Sequence, residues 1–293
     1  MWYNGDMKNE RLEQLIGEYR GLAKEHPEGV QEIMRGEVPE MVYNSNAIEN
    51  STLTLEDTED IILRDTIKKD ASVREVYEAK NLARVTELLI QDAGEEISVP
   101  IILAYHKVLL SGINENFAGR FRYGREWVRV GAHIGANPEL VNQLMYSLVD
   151  SYHKDERYFL EKIAYFHAEF ENIHPFADGN GRIGRVLVNQ QLLSYGLPPI
   201  IIRNKDKHEK YYGALEKYEY EDDYSGILEL FELLLMEALN KYIAILSGNK
   251  IVKLAEWAKA NEMTANAANN RARRQTIPAF RVRDKWMMGE SVI

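Results

Sequence analysis

The chain has 293 residues, of which 45% are hydrophobic and 28% are charged, as in a globular protein with one large domain or two smaller ones. Cysteine is absent and no apolar run reaches the length of a membrane span. This composition excludes disulfides, cysteine-ligated zinc, thiolate nucleophiles and a membrane-spanning helix. The net charge of −10 and the charged N-terminus argue against nucleic-acid binding by the chain as a whole and against a secretory signal, so we expect a cytoplasmic location.

Most of the chain is predicted to be helical, because apolar residues recur at the spacing of one helix face. The pattern predicts helices over residues 12–22, 73–89, 101–109, 141–148, 163–173, 187–195 and 228–239. The β-prone residues from Trp127 to Val130 lie between Gly124 and Gly131, which predicts a small hairpin among the helices. Ser247-Gly248-Asn249 is a polar break and a candidate linker. The predicted fold class is therefore mainly α.

The segment from His174 to Arg185 contains a loop that is suited to binding an anion. Pro175 disfavours helical geometry in the residue before it, so a helix is predicted to end there. Gly179 and Gly181 permit positive φ and close approach of a ligand to the backbone. A new apolar-periodic helix begins directly afterwards, and backbone N–H groups at a helix N-terminus attract phosphate.

Four side chains of the same segment have the chemistry of phosphoryl or nucleotidyl transfer. His174 can act as a base near neutral pH, and Asp178 offers a hard oxygen ligand suited to Mg²⁺. Arg182 and Arg185 are three residues apart on one helix face, so both guanidinium groups can reach the same anion. Each feature is common by itself, but their combination within twelve residues indicates a phosphate-transfer site.

The sequence HPFADGNGRIGR, residues 174–185, is similar to the signature of the Fic family, His-Pro-Phe-x-Asp-Gly-Asn-Gly-Arg-x-x-Arg, with no departure. The resemblance implies a Fic-type helical bundle that moves AMP from ATP onto a protein hydroxyl, with Mg²⁺ as cofactor. It implies His174 as the catalytic base and Asp178 as the metal ligand. It also implies nucleotide contacts from Asp178, Gly179, Asn180, Gly181, Arg182, Ile183, Gly184 and Arg185.

Segments on either side of the signature also resemble the family. Residues 118–122 and 128–134 are similar to the approach to a β-hairpin flap that holds the target segment by strand-type pairing. The implied nucleotide contacts in this flap are Val130, Gly131, Ala132 and His133. Tyr211 and Tyr212 match a tyrosine pair that lies by the adenine. Glu219 aligns with a frequent Asn of the family, and this departure bears on the sugar and base contacts.

The segment Ser45-Asn46-Ala47-Ile48-Glu49-Asn50 matches the inhibitory pattern of Fic proteins, [Ser/Thr]-x-x-x-Glu-[Gly/Asn]. Ser45 and Glu49 are four residues apart and therefore lie on one helical face. The resemblance implies that Glu49 pairs with Arg185 at the position of the ATP γ-phosphate and so prevents a productive nucleotide pose. Because the segment precedes the signature, it resembles the class with an N-terminal inhibitory helix in the same chain.

The C-terminal segment, residues 250–293, has nine basic and four acidic residues, a net charge of +5, which leaves −15 on the first 249 residues. Two short helices followed by a hairpin through residues 277–288 form a winged-helix plan that resembles small excisionase-like domains. Its candidate DNA-contacting residues are Asn269, Asn270, Arg271, Arg273, Arg274, Arg281, Arg283 and Lys285. Such modules also bind proteins, and both partners remain open.

The sequence therefore predicts three regions: an N-terminal helical region over 1–95 with the inhibitory helix near 40–50, a Fic catalytic core over 96–246, and a winged-helix-like module over 250–293. The leading hypothesis is an autoinhibited, Mg²⁺- and ATP-dependent protein adenylyltransferase that acts on a Ser, Thr or Tyr hydroxyl. One alternative removes AMP from a modified protein, with Glu49 orienting water. Another is a nucleotide-sensing DNA-binding regulator, and a homo-oligomer is also compatible with the sequence.

A kinase-like activity of the Doc type is disfavoured because Gly181 and Arg185 are both present. The regulator hypothesis is separated from the enzyme hypotheses by replacing His174 with Ala, which would leave a pure regulator unchanged.

Overall fold

A computed structural model describes residues 3–67, 70–131 and 133–290. Its helices are α1 (Tyr3–Glu25), α2 (Pro27–Ile48), α3 (Leu55–Leu63), α4 (Val73–Gln91), α5 (Val99–Leu110), α6 (Val141–Lys154), α7 (Phe159–Ile173), α8 (Asn180–Ser194), α9 (Tyr212–Glu221), α10 (Ser225–Leu246), α11 (Leu254–Ala260) and α12 (Ala265–Arg273). Its strands are β1 (Arg129–Val130), β2 (His133–Ile134), β3 (Lys250–Lys253), β4 (Ala279–Val282) and β5 (Lys285–Glu290).

The predicted mainly helical fold with small antiparallel sheets is confirmed. Each stretch that was predicted from apolar spacing forms a helix, although Tyr195 is the residue that ends α8 rather than a member of it. Helices α2, α3 and α9 were not predicted from spacing, and α2 carries Pro39 in its interior. Within the described ranges, no helix has both the length and the apolar character to cross a membrane.

The chain divides into two compact units. The first comprises residues 1–36, 196–200 and 231–293, and the second comprises residues 37–195 and 201–230. Residues 37–95, which the sequence analysis grouped with the N-terminal region, thus lie in the same unit as the His174–Arg185 segment. The predicted division into functional domains stays a prediction.

Helix α8 is the centre of the second unit. It packs against α4, α5 and α7, and its apolar residues Ile183, Leu187 and Leu192 are at most 1% exposed. Phe176, in the loop before α8, is also fully buried and stacks on the ring of His106 at a centroid distance of 3.6 Å. The start of α8 is therefore fixed by core packing on several sides, which makes it a rigid support for a site.

Local sequence explains where three helices of this unit begin. Thr54 before α3 and Ser72 before α4 each form a capping box with the acidic residue three positions later, Asp57 and Glu75. Ser98 before α5 accepts a hydrogen bond from a first-turn N–H. These side chains satisfy backbone donors that the helix itself leaves free. The N-terminal turn of α4 is thereby well defined.

The hairpin that was predicted near residue 127 is present and short. Strands β1 and β2 are antiparallel, with Arg129 opposite Ile134 and Val130 opposite His133. Trp127 and Val128 precede the strand rather than belonging to it. Gly131 has a φ of +61° at the turn, a conformation that favours glycine.

In the first unit, the C-terminal segment forms a three-stranded antiparallel sheet in the order β3-β5-β4, together with α11 and α12. Strand β3 was not predicted. A small core of buried apolar side chains joins the helices to the sheet, and it comprises Val252, Leu254, Ala258, Ala268, Ala272, Ile277, Ala279 and Met288. The predicted hairpin over residues 277–288 corresponds to β4 and β5.

Candidate active site

A cavity of about 690 Å³ lies at the N-terminus of α8, in the second unit. Most of the predicted site residues line it: Glu49, Val130, Gly131, His133, His174, Asp178, Gly179, Asn180, Gly181, Arg185, Tyr211, Tyr212 and Glu219. Ser45, Arg182, Ile183 and Gly184 are close to it without forming its wall, and Ala132 lies outside the described residues. The cavity therefore brings together residues that are up to 170 positions apart in the chain.

His174 ends α7 in a left-handed conformation, with a φ of +52°. Its Nδ1 lies 3.2 Å from the carbonyl oxygen of Glu171, so Nδ1 carries the proton and Nε2 is left as the acceptor. Burial lowers the pKa of His174 to about 4. The imidazole is therefore neutral near pH 7 and has a nitrogen available to accept a proton.

A buried arginine fixes the backbone on which His174 is carried. Arg122 is 1% exposed, and its Nε donates to the carbonyl oxygen of His174 at 2.7 Å. Its Nη2 donates to the carbonyl oxygen of Ile173 at 2.9 Å and to that of Ala136. Arg122 thus donates to the last carbonyls of α7, and the carbonyl of Ile173 also accepts from the N–H of Ala136 at 3.1 Å. No role was predicted for Arg122 from the sequence.

The loop before α8 is closed by Asn180. Its side-chain oxygen accepts from the N–H of Phe176 at 2.7 Å, and its side-chain nitrogen donates to the carbonyl of Phe176 at 2.8 Å. Gly179 precedes the helix with a φ of +85°, and no side chain caps the helix. The first N–H groups of α8 therefore face the cavity without a capping partner, an arrangement suited to phosphate.

The carboxylate of Glu49 occupies this end of α8. Nη2 of Arg185 donates to Oε1 of Glu49 at 2.8 Å, and Arg185 also donates to the hydroxyl and carbonyl oxygens of Ser45, both at 2.9 Å. Oε1 of Glu49 lies so close to Gly181 that a Cβ there would collide with it. An anion is thus already bound where the helix N-terminus and the arginine favour one.

Glu49 and Arg185 form a charged pair in which the ionised form of the carboxyl group is favoured. Partial burial raises the pKa of Glu49, but the charge and hydrogen bond of Arg185 outweigh this effect and hold the pKa below its usual value. Arg185 is 7% exposed, and Glu49 is 40% exposed toward the cavity. The carboxylate is therefore charged at neutral pH and is held by a buried guanidinium.

Three further residues hold the C-terminal end of α2 in this position. Lys207 places Nζ 3.3 Å from the carbonyl oxygen of Ala47 and 3.2 Å from that of Ile48. The hydroxyl of Tyr212 donates to the carbonyl oxygen of Ile48 at 3.0 Å. A cation and a hydroxyl thus satisfy the last carbonyls of the helix that carries Glu49. Arg203 adds a buried ion pair to this helix.

Tyr211 borders the cavity but is almost fully buried. Its hydroxyl lies 2.8 Å from Nε2 of His167, and it is 1% exposed. Burial lowers the pKa of His167 to about 3, so this imidazole is neutral. Tyr212, which follows it, is 36% exposed and offers the more accessible ring.

Asp178 does not face the cavity as a free carboxylate. Its Oδ2 lies 2.5 Å from Nη2 of Arg74, and its Oδ1 lies 3.0 Å from Nη2 of Arg182. Arg182 also contacts Glu78, with Nη1 to Oε1 at 3.1 Å, and Arg74 contacts the same oxygen through Nε at 2.9 Å. Arg182 is therefore paired with carboxylates on both sides, and it is 4% exposed.

The donor set at Asp178 fits Mg²⁺ with a nucleotide. Within the described chain, no group of three or more acidic or histidine side chains could hold a metal. Mg²⁺ usually takes one or two carboxylates and completes its shell with phosphate oxygens and water. Asp178 supplies one such carboxylate at the edge of the cavity, so the residues present suit a metal that arrives with phosphates.

His133, on the hairpin, contacts α9 through one ring nitrogen and α7 through the other. Its Nδ1 lies 2.9 Å from Oε1 of Glu219, and its Nε2 lies 3.0 Å from the carbonyl oxygen of Asn172. The rings of His133 and His174 meet edge-on at 6.2 Å. Val130 is 55% exposed at the rim. Glu219, which departs from the family pattern, therefore contacts the hairpin.

Glu171 is a buried acid beside these groups that the sequence analysis did not identify. Burial raises its pKa to about 8, so its carboxyl group is largely protonated near pH 7. Its Oε2 lies 3.9 Å from Nδ1 of His174, and its Oε1 has no hydrogen-bond partner among the described residues. A Cβ on Gly184 would collide with this oxygen unless the Glu171 side chain moved.

Comparison with known proteins supports the resemblance that the signature predicts. Residues 96–192 match the sequence model of the Fic/DOC family. The chain is 34% identical over 188 residues to a protein of Nematostella vectensis named protein adenylyltransferase Fic, a match that covers 62% of this chain and 43% of that protein. The chain therefore spans less than half the length of this curated relative.

Two solved structures extend the comparison. A Fic-domain-containing signaling protein from Bacteroides thetaiotaomicron matches 82% of this chain and 97% of its own, with a TM-score of 0.74 and 26% identity. A Fic family protein from Desulfovibrio desulfuricans matches 96% of both chains with a TM-score of 0.64 and 23% identity, which supports the fold alone. These matches confirm the predicted resemblance to the Fic family.

Proposed function

We propose that this protein is an autoinhibited, Mg²⁺-dependent protein adenylyltransferase that transfers AMP from ATP to a Ser, Thr or Tyr hydroxyl of a protein target. The names of the curated relatives support the reaction class. The cavity supports it independently, because it combines a neutral histidine, a helix N-terminus and a buried arginine. The cytoplasmic location stays a prediction.

The proposed chemistry begins at Nε2 of His174, which accepts the proton of the target hydroxyl. The hydroxyl oxygen forms a bond to the α-phosphorus as the bond to the β-phosphate oxygen breaks, and pyrophosphate leaves. Attack and departure must be nearly in line, so positioning supplies most of the rate. The α8 N-terminus and Arg185 orient the phosphates, and the exposed hairpin edge at Val130 aligns an extended target segment. Mg²⁺, held by Asp178 with the phosphates, would neutralise developing charge.

The contact of Glu49 with Arg185 carries the autoinhibition proposal. One guanidinium edge cannot hold the Glu49 carboxylate and a phosphate at the same time. The carboxylate also lies against Gly181, within the loop that would receive phosphate. A nucleotide that enters while Glu49 is in place must therefore adopt a different phosphate position, and turnover falls more than affinity does.

The position of the label identifies the transferred group. The Glu49→Gly variant is incubated with Mg²⁺ and lysate proteins, using ATP labelled either at the α-phosphate or at the γ-phosphate. AMP transfer predicts that the α-label enters proteins and the γ-label does not. Transfer of the γ-label alone would identify a kinase and overturn the proposal. The release of AMP from pre-labelled protein by the wild type would instead favour the de-AMPylating alternative.

The C-terminal segment supports a second proposal, that it contacts nucleic acid. Helix α12 buries only Ala268 and Ala272, and it exposes Asn269, Asn270, Arg271, Arg273 and Arg274. Arg281, a predicted contact residue, is instead 7% exposed and pairs with Glu237 at 2.8 Å. We therefore assign the contact to the exposed arginines of α12 and exclude Arg281.

Salt dependence tests this second proposal. Duplex DNA should bind the full chain with an affinity that falls steeply with salt, because phosphate contacts release counterions. Replacing Arg271, Arg273 and Arg274 with Ala should flatten that slope. Binding that is insensitive to salt, or no binding at any salt, would favour a protein partner for α12.

A further inference from the structure

Two arginines from different helices hold the carboxylate of Asp178. Arg182 approaches Oδ1 from α8 at 3.0 Å, and Arg74 approaches Oδ2 from the first turn of α4 at 2.5 Å. Glu78, one turn further along α4, contacts both arginines through Oε1, at 2.9 Å from Arg74 and 3.1 Å from Arg182. The four side chains form a closed ring of alternating charge, and half of this ring lies outside the His174–Arg185 segment.

Both oxygens of Asp178 are therefore in use. A divalent cation that binds this carboxylate has to displace one guanidinium, because two cations on one carboxylate oxygen repel each other. The displaced group must come from the ring itself. The burial and the remaining partners of the two arginines therefore determine which of them the metal replaces.

The two arginines differ in their ability to leave. The Arg182 side chain is 4% exposed, so moving it away would strand a buried guanidinium and leave Glu78 without its second partner. The Arg74 side chain is 57% exposed and also pairs with Glu78 through Nε. When Arg74 leaves Asp178, its guanidinium keeps the contact with Glu78 and becomes hydrated. Arg74 is the arginine that a metal can displace at low cost.

We propose that Arg74 occupies the metal side of Asp178 in the nucleotide-free protein and competes directly with Mg²⁺ for it. This inference rests on the proposed function, in which Asp178 is the metal ligand. In the absence of metal, Arg74 holds the carboxylate of Asp178 in place beside the cavity. When Mg²⁺ arrives with a nucleotide, Arg74 withdraws to Glu78 and Oδ2 becomes available. Arg74 is thus a positioning residue that sets the metal requirement of nucleotide binding.

The test measures binding of α,β-methylene-ATP, which the enzyme cannot split at the reacting bond, to the full chain over a range of Mg²⁺ concentrations. Removal of the competing cation in Arg74→Ala should lower the half-saturating Mg²⁺ concentration by up to about fivefold. Arg74→Lys keeps a charge without the planar two-nitrogen edge and should shift the midpoint less. Arg84→Ala, an exposed arginine on the same helix, is the matched control and should leave it unchanged.

The outcomes separate this inference from the proposed function. If the wild type binds the analogue in a Mg²⁺-dependent manner and Arg74→Ala has the same or a higher midpoint, the competition is disproved while the proposed function stands. If neither protein shows Mg²⁺-dependent binding, the proposed metal role of Asp178 fails, and the inference fails with it. A lowered midpoint in Arg74→Ala that Arg84→Ala does not share supports the competition.

Discussion

Arg182 and Arg185 leave α8 one turn apart, yet their surroundings differ. Arg185 pairs with Glu49 from the end of α2, and the Glu49 carboxylate lies over Gly181 inside the cavity. Arg182, which does not line the cavity, pairs with Asp178 at the cavity edge and with Glu78 from α4. The two regions use the same carboxylate–guanidinium chemistry, but only the Arg185 region places its carboxylate where a phosphate would bind.

Position relative to the N-terminus of α8 separates the roles proposed for these two regions. In the proposed mechanism, the Arg185 pair competes with the nucleotide, because the Glu49 carboxylate lies where a phosphate would bind. The Arg182 region offers an anion to a cation, because Asp178 is the group that a metal would use. In the proposed mechanism, two different intramolecular ions therefore oppose nucleotide and metal binding: Glu49 competes with the phosphate and Arg74 competes with Mg²⁺.

The largest effect is expected from replacing His174, which belongs to neither of the two arginine regions. His174→Ala should reduce AMP transfer by about 10²–10⁴-fold, the usual loss on removal of a general base. Affinity for ATP should change little, because the α8 N-terminus and both arginines remain. Transfer rates in the Glu49→Gly background, together with calorimetric binding, measure the two quantities. Undiminished transfer would show that His174 is not the base. The Arg182 and Arg185 regions would then support a reaction other than the one proposed.

The next largest effect is expected in the pH dependence of AMP transfer and of its inhibition by Glu49. Burial lowers the pKa of His174 to about 4, so the neutral base is present at all pH values above that. The acid limb of kcat/KM for Glu49→Gly should therefore lie near pH 4, and activity at pH 5.5 should be about tenfold higher than an ordinary histidine with a pKa near 6.5 allows. In the wild type, inhibition should persist at pH 5.5, since the lowered pKa of Glu49 keeps its carboxylate charged. A limb near 6.5 would contradict the burial of the base.

A smaller effect is expected from the support of α2. Lys207→Ala removes the cation from the carbonyls of Ala47 and Ile48, and charge at a helix C-terminus is typically worth about 0.3–1 kcal/mol. The end of α2 should loosen, so transfer by the otherwise wild-type chain should rise about two- to fivefold. Lys210→Ala, three residues further along the same short helical segment, is the control. An unchanged rate for Lys207→Ala would mean that Arg185 alone determines the position of Glu49.

The sequence predicted the parts of the site that are contiguous or follow a fixed spacing. His174, Asp178 and the glycines lie within one twelve-residue segment, and Ser45 and Glu49 follow an i, i+4 pattern. The helices were predicted wherever an apolar stripe was regular, and α2 was missed because Gly36 and Pro39 interrupt it. Strand β3 has only four residues, too few for alternation to distinguish it from a helix start.

The residues that sequence reasoning missed act through contacts that no local pattern records. Arg74 and Asp178 are 104 residues apart, and Lys207 contacts carbonyls about 160 residues away. A lone arginine or lysine on a helix is usually a solvated side chain, so nothing in the neighbouring sequence distinguishes these. Glu171 carried one weak signal, an acid three residues before His174 in an otherwise buried helix face. Arg281 was wrongly predicted to contact DNA for a similar reason: its partner Glu237 lies on α10, far away in the sequence.

The central claim, that Glu49 inhibits by occupying the phosphate position at Arg185, is tested most directly by comparing self-labelling of four full-length proteins at one ATP concentration. These are the wild type, Glu49→Gly, Arg185→Ala and the double variant. A charge-assisted hydrogen bond contributes about 1.5–3 kcal/mol, and 1.4 kcal/mol is tenfold in rate, so Glu49→Gly should exceed the wild type by more than tenfold. Arg185→Ala should stay inactive, because it removes the phosphate contact together with the partner of Glu49, and the double variant should match it. A wild type that labels itself as fast as Glu49→Gly would contradict the account.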